Sequence, residues 1–155
     1  MEHHTTYDFT RKALDSGDTT CEQSTQRFLE AIQEKRRFNA FIAVFNEKAL
    51  ERAREIDRRL GSGTAGTLAG MVVAIKDILC LMDERVTCGS KMLEHFVAPY
   101  TATAVQRLLA EDAIIIGKTN MDEFAMGSSN ENSAFGPVLN PINESRVAIP
   151  IQRIG

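Results

Sequence analysis

Leu68-Ala69-Gly70-Met71-Val72-Val73-Ala74-Ile75-Lys76-Asp77 is the stretch from which the fold is read. Met71 to Ile75 are apolar without a break, and a glycine precedes them. An apolar run this short, rich in β-branched residues, predicts a strand buried on both faces. The strand ends on a lysine. Side chains alternate along a strand, so Lys76 shares a face with Val72 and Ala74. Burial disfavours an ammonium, which is how a lysine becomes a usable base. The plainer alternative is a lysine whose stem packs and whose head reaches water. On this stretch alone the plainer alternative leads, because most lysines beside strands are surface residues.

A second apolar run, Ala113-Ile114-Ile115-Ile116-Gly117, predicts another buried strand. Between the two, Thr101 is placed to cap a helix over 102–111 whose apolar face is Val105, Leu108 and Leu109. Strand, helix, strand across 71–117 predicts a crossover with parallel strands. In such sheets the working residues gather at the carboxyl ends of strands. Lys76 lies at one such end, and Lys118-Thr119-Asn120 follows the other. That coincidence raises the interest of Lys76. Residues 78–100 read as mostly irregular, with a short helix at Ser90–His95. Asn120 with Glu123 predicts a capped short helix through Met126. A polar loop, Gly127 to Ser133, follows, with turn signals at Phe135-Gly136-Pro137 and Asn140-Pro141.

Upstream, residues 6–16 read as a helix stopped by Gly17. A second helix starts near Thr19 or Thr20, where Thr19 with Glu22, or Thr20 with Gln23, makes a capping box. Its apolar face is Cys21, Thr25, Phe28, Leu29 and Ile32, and Glu34-Lys35-Arg36-Arg37 closes it with cations in the last turn. Phe41 to Phe45 reads as a short strand. Asn46 is placed to cap a third helix with the stripe Leu50, Ala53, Ile56 and Leu60, ended by Gly61. These stripes read as core packing. Gly61 to Thr67 is a flexible loop without the spacing of a phosphate-binding loop. The expected fold is α/β: N-terminal helices, then the first part of a mixed, largely parallel sheet covered by helices. The expected organisation is a helical region over 1–61, a Gly/Ser loop over 62–67, an α/β core over 68–147 and a divergent tail over 148–155.

Composition narrows the function. Hydrophobic residues are 43% and charged residues 25% of the chain, as in ordinary globular proteins. A net charge of −3 gives no basic face for gripping nucleic acid unaided. Cys21, Cys80 and Cys88 are widely spaced, so neither a zinc site nor a disulfide framework is indicated, and a reducing cytoplasm is the simplest setting. No signal peptide or membrane span is expected. His3 and His4 are adjacent near the terminus and read as solvated rather than metal-binding.

Several ordered motifs resemble one known family. Leu68 to Asp77, Thr87-Cys88-Gly89-Ser90-Lys91, Ala102 to Leu109 and Ile116 to Phe124 are similar to the amidase signature family, over roughly residues 7–147. Ala125-Met126-Gly127-Ser128-Ser129-Asn130-Glu131-Asn132-Ser133-Ala134-Phe135-Gly136-Pro137 resembles its tRNA-dependent amidotransferase branch most specifically. The resemblance implies a lysine, a bridging serine on a cis peptide bond and a nucleophilic serine. The neutral lysine takes a proton from the bridging serine, and this activates the nucleophile. Lys76 matches the catalytic lysine. Met126, Gly127 and Ser128 match a stretch that lines the substrate pocket.

In that branch, glutamine is hydrolysed and the ammonia passes to a partner that amidates Glu-tRNA(Gln) to Gln-tRNA(Gln). The implied partners are B and C subunits in a heterotrimer, with tRNA held through the partner. ATP and Mg would be used by the partner, and this chain would bind no cofactor and no metal. The resemblance also predicts a Pro-Gly-Gly-Ser-Ser-Gly-Gly-Ser segment after Arg146-Val147, whereas the chain reads Ala148-Ile149-Pro150-Ile151-Gln152-Arg153-Ile154-Gly155. Ile78 and Asp83-Glu84 are smaller departures. Neither family serine is matched, so the chain alone is expected to be inactive, marginally stable and prone to aggregate along open strand edges. The alternatives are a non-catalytic subunit-interaction module and a fragment of a small-amide amidase. A nucleotide-binding protein fits poorly, since no phosphate loop is present.

Overall fold

The computed structural model describes residues 6–147. His3, His4 and the tail 148–155 lie outside the described residues. The described chain forms two compact units. The first gathers the residues up to Gln33 with Phe45–Val73 and Gln106–Ile116; the second gathers Glu34–Val44, Ala74–Val105 and the residues from Gly117 on.

In the first unit, α1 is Tyr7–Ser16, and Gly17 ends it at φ 77°, the left-handed position that glycine takes without strain. The second helix, α2 (Cys21–Glu34), begins with the expected capping box: Gln23 N donates to Thr20 Oγ1 at 3.0 Å, and Thr20 N to Gln23 Oε1 at 3.3 Å. A second cap comes from far along the chain. Asp57 accepts from Cys21 N at 2.7 Å and from Glu22 N at 3.1 Å. Burial, reinforced by the Asp57 carboxylate, pushes the Cys21 thiol up to about 12. The helix stops at Glu34, and Arg36–Phe38 is a separate 3₁₀ turn, so the expected cations do not lie in its last turn. Phe28 is exposed, and Ser24 is buried on the face with Cys21, Thr25 and Leu29.

The third helix, α3, is Asn46–Gly61. Asn46 is its first helical residue rather than its cap, and Phe45 precedes it without a side-chain bond. It buries Ala49, Ala53 and Ile56, while Leu50 and Leu60 are only half-buried. The loop that follows is held firmly. Asp112, fully buried, accepts from Arg52 Nη2 at 2.8 Å, from Arg59 Nη1, and from Gly66 N at 2.7 Å. A Cβ at Gly66 would lie 2.7 Å from the Glu111 carbonyl carbon, so the loop passes this backbone only as glycine.

Three strands form one sheet in the order β1 (Phe41–Val44), β3 (Ile114–Thr119), β2 (Val72–Lys76). β1 runs antiparallel to β3, pairing Phe41 with Thr119, Ala43 with Lys118 and Val44 with Gly117, with an irregularity between Phe41 and Ala43. β2 and β3 advance together: Ile114 N donates to Met71 O at 2.8 Å, and Asp77 N to Thr119 O at 3.2 Å. That pattern is parallel, and α4 (Thr103–Ala110) is the crossover. The sheet is therefore mixed, as expected. The helix is shorter than 102–111, and Thr101 Oγ1 accepts from Met82 N at 3.0 Å.

The expected burial of β2 is also corrected. β2 is not buried on both faces: Ile75 is buried, Val72 and Val73 are half-buried, and Ala74 is exposed. Among the described residues it has a neighbour on one side only. The strand buried from Ile114 to Lys118 is the central one, β3.

Two outcomes follow from the first unit. Asp112→Ala strands two guanidiniums and the Gly66 N–H, and should cost about 3 kcal/mol of stability. The measurement is a lowered urea midpoint at unchanged m-value. The raised Cys21 thiol means that the folded state keeps its proton longer than the unfolded chain. Its contribution is fully present below the ordinary value of 9.0 and is lost as pH rises from there through about 12. In native protein at mildly alkaline pH, a chromogenic disulfide should modify the half-buried Cys80 and Cys88 and leave Cys21 untouched until the protein unfolds.

Candidate active site

The second unit contains the carboxyl ends of both parallel strands. Lys76 is half-buried at the end of β2, on the face that exposes Ala74. Asp77 points to the opposite face and is buried, 1% exposed. Its Oδ2 accepts from Thr87 N at 2.9 Å and from the Thr87 hydroxyl. Its Oδ1 has no hydrogen-bond partner and lies 3.5 Å from Lys118 Nζ.

The lysine taken wholly out of water is Lys118, at 0% exposure. Its Nζ donates to Leu79 O at 2.7 Å. Burial pushes its pKa below the ordinary lysine value, and the neighbouring Asp77 carboxylate opposes that shift. Nothing in local periodicity marks Lys118. It follows an apolar run just as Lys76 does, and only its place in the central strand buries it.

Past β3 the chain crosses the same region as an irregular strap. Asn120 does not cap a helix. Its Nδ2 donates to Asn39 O at 3.1 Å and Gly136 O at 3.0 Å, and its Oδ1 accepts from Met121 N at 2.8 Å and Ser133 Oγ at 2.6 Å. Asn39, left-handed at φ 55°, donates from Nδ2 to Phe135 O at 2.9 Å and Gly136 O at 3.1 Å. The two amides hold the Ser133–Pro137 turn against the backbone that leads into β1. Where a helix through Met126 was expected, only a 3₁₀ turn, Glu123–Ala125, forms. Phe124 and Ala125 sit at φ 51° and 59°, which a helix does not allow.

Asp122 organises the rest of the strap. It is fully buried, and accepts from Asn130 N at 2.8 Å and Asn132 N at 3.0 Å. Of the predicted pocket residues, Met126 is 88% exposed and Ser128 is exposed, while Gly127 is half-buried. A Cβ on Gly127 would lie 2.5 Å from Asp122 Cγ, so this position passes the carboxyl group only as glycine. The strap is tied to the loop after β2 at Cys88 and at Gly89, where Ala134 N donates to Gly89 O at 2.8 Å. Phe124 N donates to Cys88 O at 2.8 Å, and Cys88 N to Asp77 O at 3.3 Å.

The unit also holds a cleft of about 480 Å³, lined among others by Asn39, Phe41, Arg85, Thr87, Lys91 and Phe135. None of the predicted site residues lines it. Its basic groups are partly occupied: Lys91 Nζ pairs with Glu94 at 3.0 Å and sits 5.0 Å from the Phe135 ring centre.

The family model named Amidase matches residues 23–148. The chain belongs to the amidase family. It is 54% identical over 146 residues to the A subunit of the glutamyl-tRNA(Gln) amidotransferase of Chlorobium phaeobacteroides, covering 94% of this chain and 31% of that protein. Among solved structures, it is 36% identical to the A subunit of the Thermotoga maritima glutamyl-tRNA(Gln) amidotransferase, with a TM-score of 0.66 over 82% of this chain and 26% of that one. The peptide amidase of Stenotrophomonas maltophilia is 30% identical, with a TM-score of 0.83 over 92% of this chain and 31% of that one. The chain therefore spans about 31% of the length of the curated relative quoted. The likeness to these two structures extends over 92% and 82% of this chain.

The strap geometry generates a direct test. Gly127→Ala drives a methyl into the Asp122 carboxyl and should cost about 1–3 kcal/mol. Amide exchange at Asn130 and Asn132 should quicken while the β3 amides keep their protection. An unchanged Asn130 would show that the strap tolerates the methyl.

Proposed function

We propose that this chain carries the lysine side of a glutaminase site in the A subunit of a glutamyl-tRNA(Gln) amidotransferase. The observation that carries the proposal is the position of Lys76: it closes a parallel strand at its carboxyl end, on the open face of β2, within a chain 54% identical to a protein of that name. Lys76 takes the proton of a bridging serine. That serine in turn takes the proton of the nucleophilic serine, whose oxygen attacks the glutamine side-chain carbonyl. The proton returns from Lys76 through the bridging serine to the leaving nitrogen, the C–N bond breaks to release ammonia and leave a glutamyl ester on the nucleophilic serine, and water later hydrolyses that ester to glutamate. Met126, Gly127 and Ser128 form one wall of the substrate pocket, with Gly127 setting the path of the strap beside Asp122.

In this proposal the ammonia is consumed by the B and C subunits, which use ATP and Mg to amidate Glu-tRNA(Gln) in the cytoplasm. This chain holds no cofactor. Its 155 residues supply the base and no serine in the family's context, so they do not hydrolyse glutamine by themselves. The exposed Ala74 and the 40% exposed Ile78 fit this view, because they flank Lys76 with apolar surface suited to a further layer of protein. Among the described residues, no helix is long and apolar enough to cross a membrane.

The test has two arms. The purified chain should release no ammonia from glutamine. A full-length relative whose corresponding segment is replaced by residues 68–147 of this chain should retain glutaminase activity. Lys76→Ala in that chimera should lower kcat about a thousandfold, the scale of losing a general base. Turnover by the isolated chain, or a chimera indifferent to Lys76, would overturn the proposal.

A further inference from the structure

We infer that the buried Lys118 is a positioning residue for Lys76, clamping the backbone turn that aims it. The inference rests on the proposed role of Lys76. The turn begins where β2 ends, and successive backbone groups along it are anchored. Lys76 O accepts from Leu79 N at 2.9 Å, Asp77 N donates to Thr119 O at 3.2 Å, and Asp77 O accepts from Cys88 N at 3.3 Å. The last anchor, on Leu79 O, is the Lys118 ammonium at 2.7 Å. It is the anchor made by a charged side chain, and it reaches from the central strand.

The chemistry of the pair argues against simple packing. Lys118 and Asp77 are 0% and 1% exposed. Two buried charges 3.5 Å apart, with Asp77 Oδ1 lacking a hydrogen bond, are a poor source of stability. Two apolar side chains of similar volume would hold the same elements together at least as well. What an apolar pair cannot do is give Leu79 O a donor and Thr87 an acceptor at fixed points. The ammonium and carboxylate therefore fix direction behind the strand end. Lys76, on the opposite face, inherits its aim from that fixed backbone.

The variants are Lys118→Met, which keeps volume and removes the donor, and the double variant Lys118→Met with Asp77→Asn, which leaves no uncompensated charge. Both are made in the 155-residue chain, labelled with ¹⁵N and reductively methylated with ¹³C-formaldehyde. Two signals are read: amide exchange at Leu79, and the position of the Lys76 dimethylamino resonance. Ile115 in β3 reports on global stability. The Leu79 N–H bonds Lys76 O inside the turn whose far carbonyl Lys118 clamps, and its exchange is expected to rise about tenfold as that turn loosens, the scale of losing one hydrogen bond to a charged group. The Lys76 resonance should move, with Ile115 unchanged. A purely structural Lys118 would speed all amides alike. That result, an unmoved Lys76 resonance, or failure of both variants to fold would overturn the inference. No turnover is measured, so it fails separately from the glutaminase proposal: an active chimera with an unmoved Lys76 resonance sinks only the clamp.

Discussion

Buried aspartates accepting hydrogen bonds from loop backbone are the constraint on which this structure depends. Asp112 lies just before β3 and receives Gly66 N with two arginines. Asp77 lies just after β2 and receives Thr87 N and its hydroxyl. Asp122 lies just after β3 and receives Asn130 N and Asn132 N. Much of the chain between regular elements is irregular, and irregular backbone near a core must find partners for its N–H groups. A carboxylate offers two oxygens and several lone pairs, so one side chain can hold two loop amides at once. Hydrogen bonds to an ionised acceptor are also stronger than those between neutral groups.

The same constraint places the candidate site. Strand ends deliver Lys76 and Asn120 to one region, but neither strand reaches Met126 to Ser128. Asp122 and the amides of Asn39 and Asn120 bring the strap back, and the Cys88 backbone joins it to the end of β2. Glycine is needed where the strap passes the Asp122 carboxyl. Backbone strain at Phe124 and Ala125 is tolerated because both flanking segments are fastened.

The periodic parts of this architecture were legible in the sequence. Four helices, the two apolar runs and the capping box at Thr20 depend on neighbours within a few residues, and they stand where expected. The parts that were not legible depend on distant partners. Asp57 caps α2 across 36 residues, and Asp112 holds Gly66 across 46. Asn46 and Asn120 carry the residue type of a cap, yet Asn120 commits its side chain to Asn39 and Gly136. A local rule weighs the local alternative only, and a tertiary hydrogen bond overrides it. Lys76 was singled out first by its place at a strand end and then matched by resemblance, whereas the Met126–Ser128 stretch was matched by resemblance alone.

The contrast between β2 and β3 shows where reading by hydrophobicity ends. Both runs are apolar, β-branched and followed by lysine. Order in the sheet separates them: among the described residues, β3 has strands on both sides and buries Lys118, while β2 has a strand on one side and leaves Lys76 half-buried beside exposed Ala74. A lysine inside the central strand must be neutralised or paired, and Asp77 provides the pair. A lysine on an open apolar face carries no such obligation, so its side chain is available to a group brought against that face. Burial makes Lys118 a fixed part of the scaffold, and incomplete burial leaves the Lys76 side chain in reach of solvent on the open face.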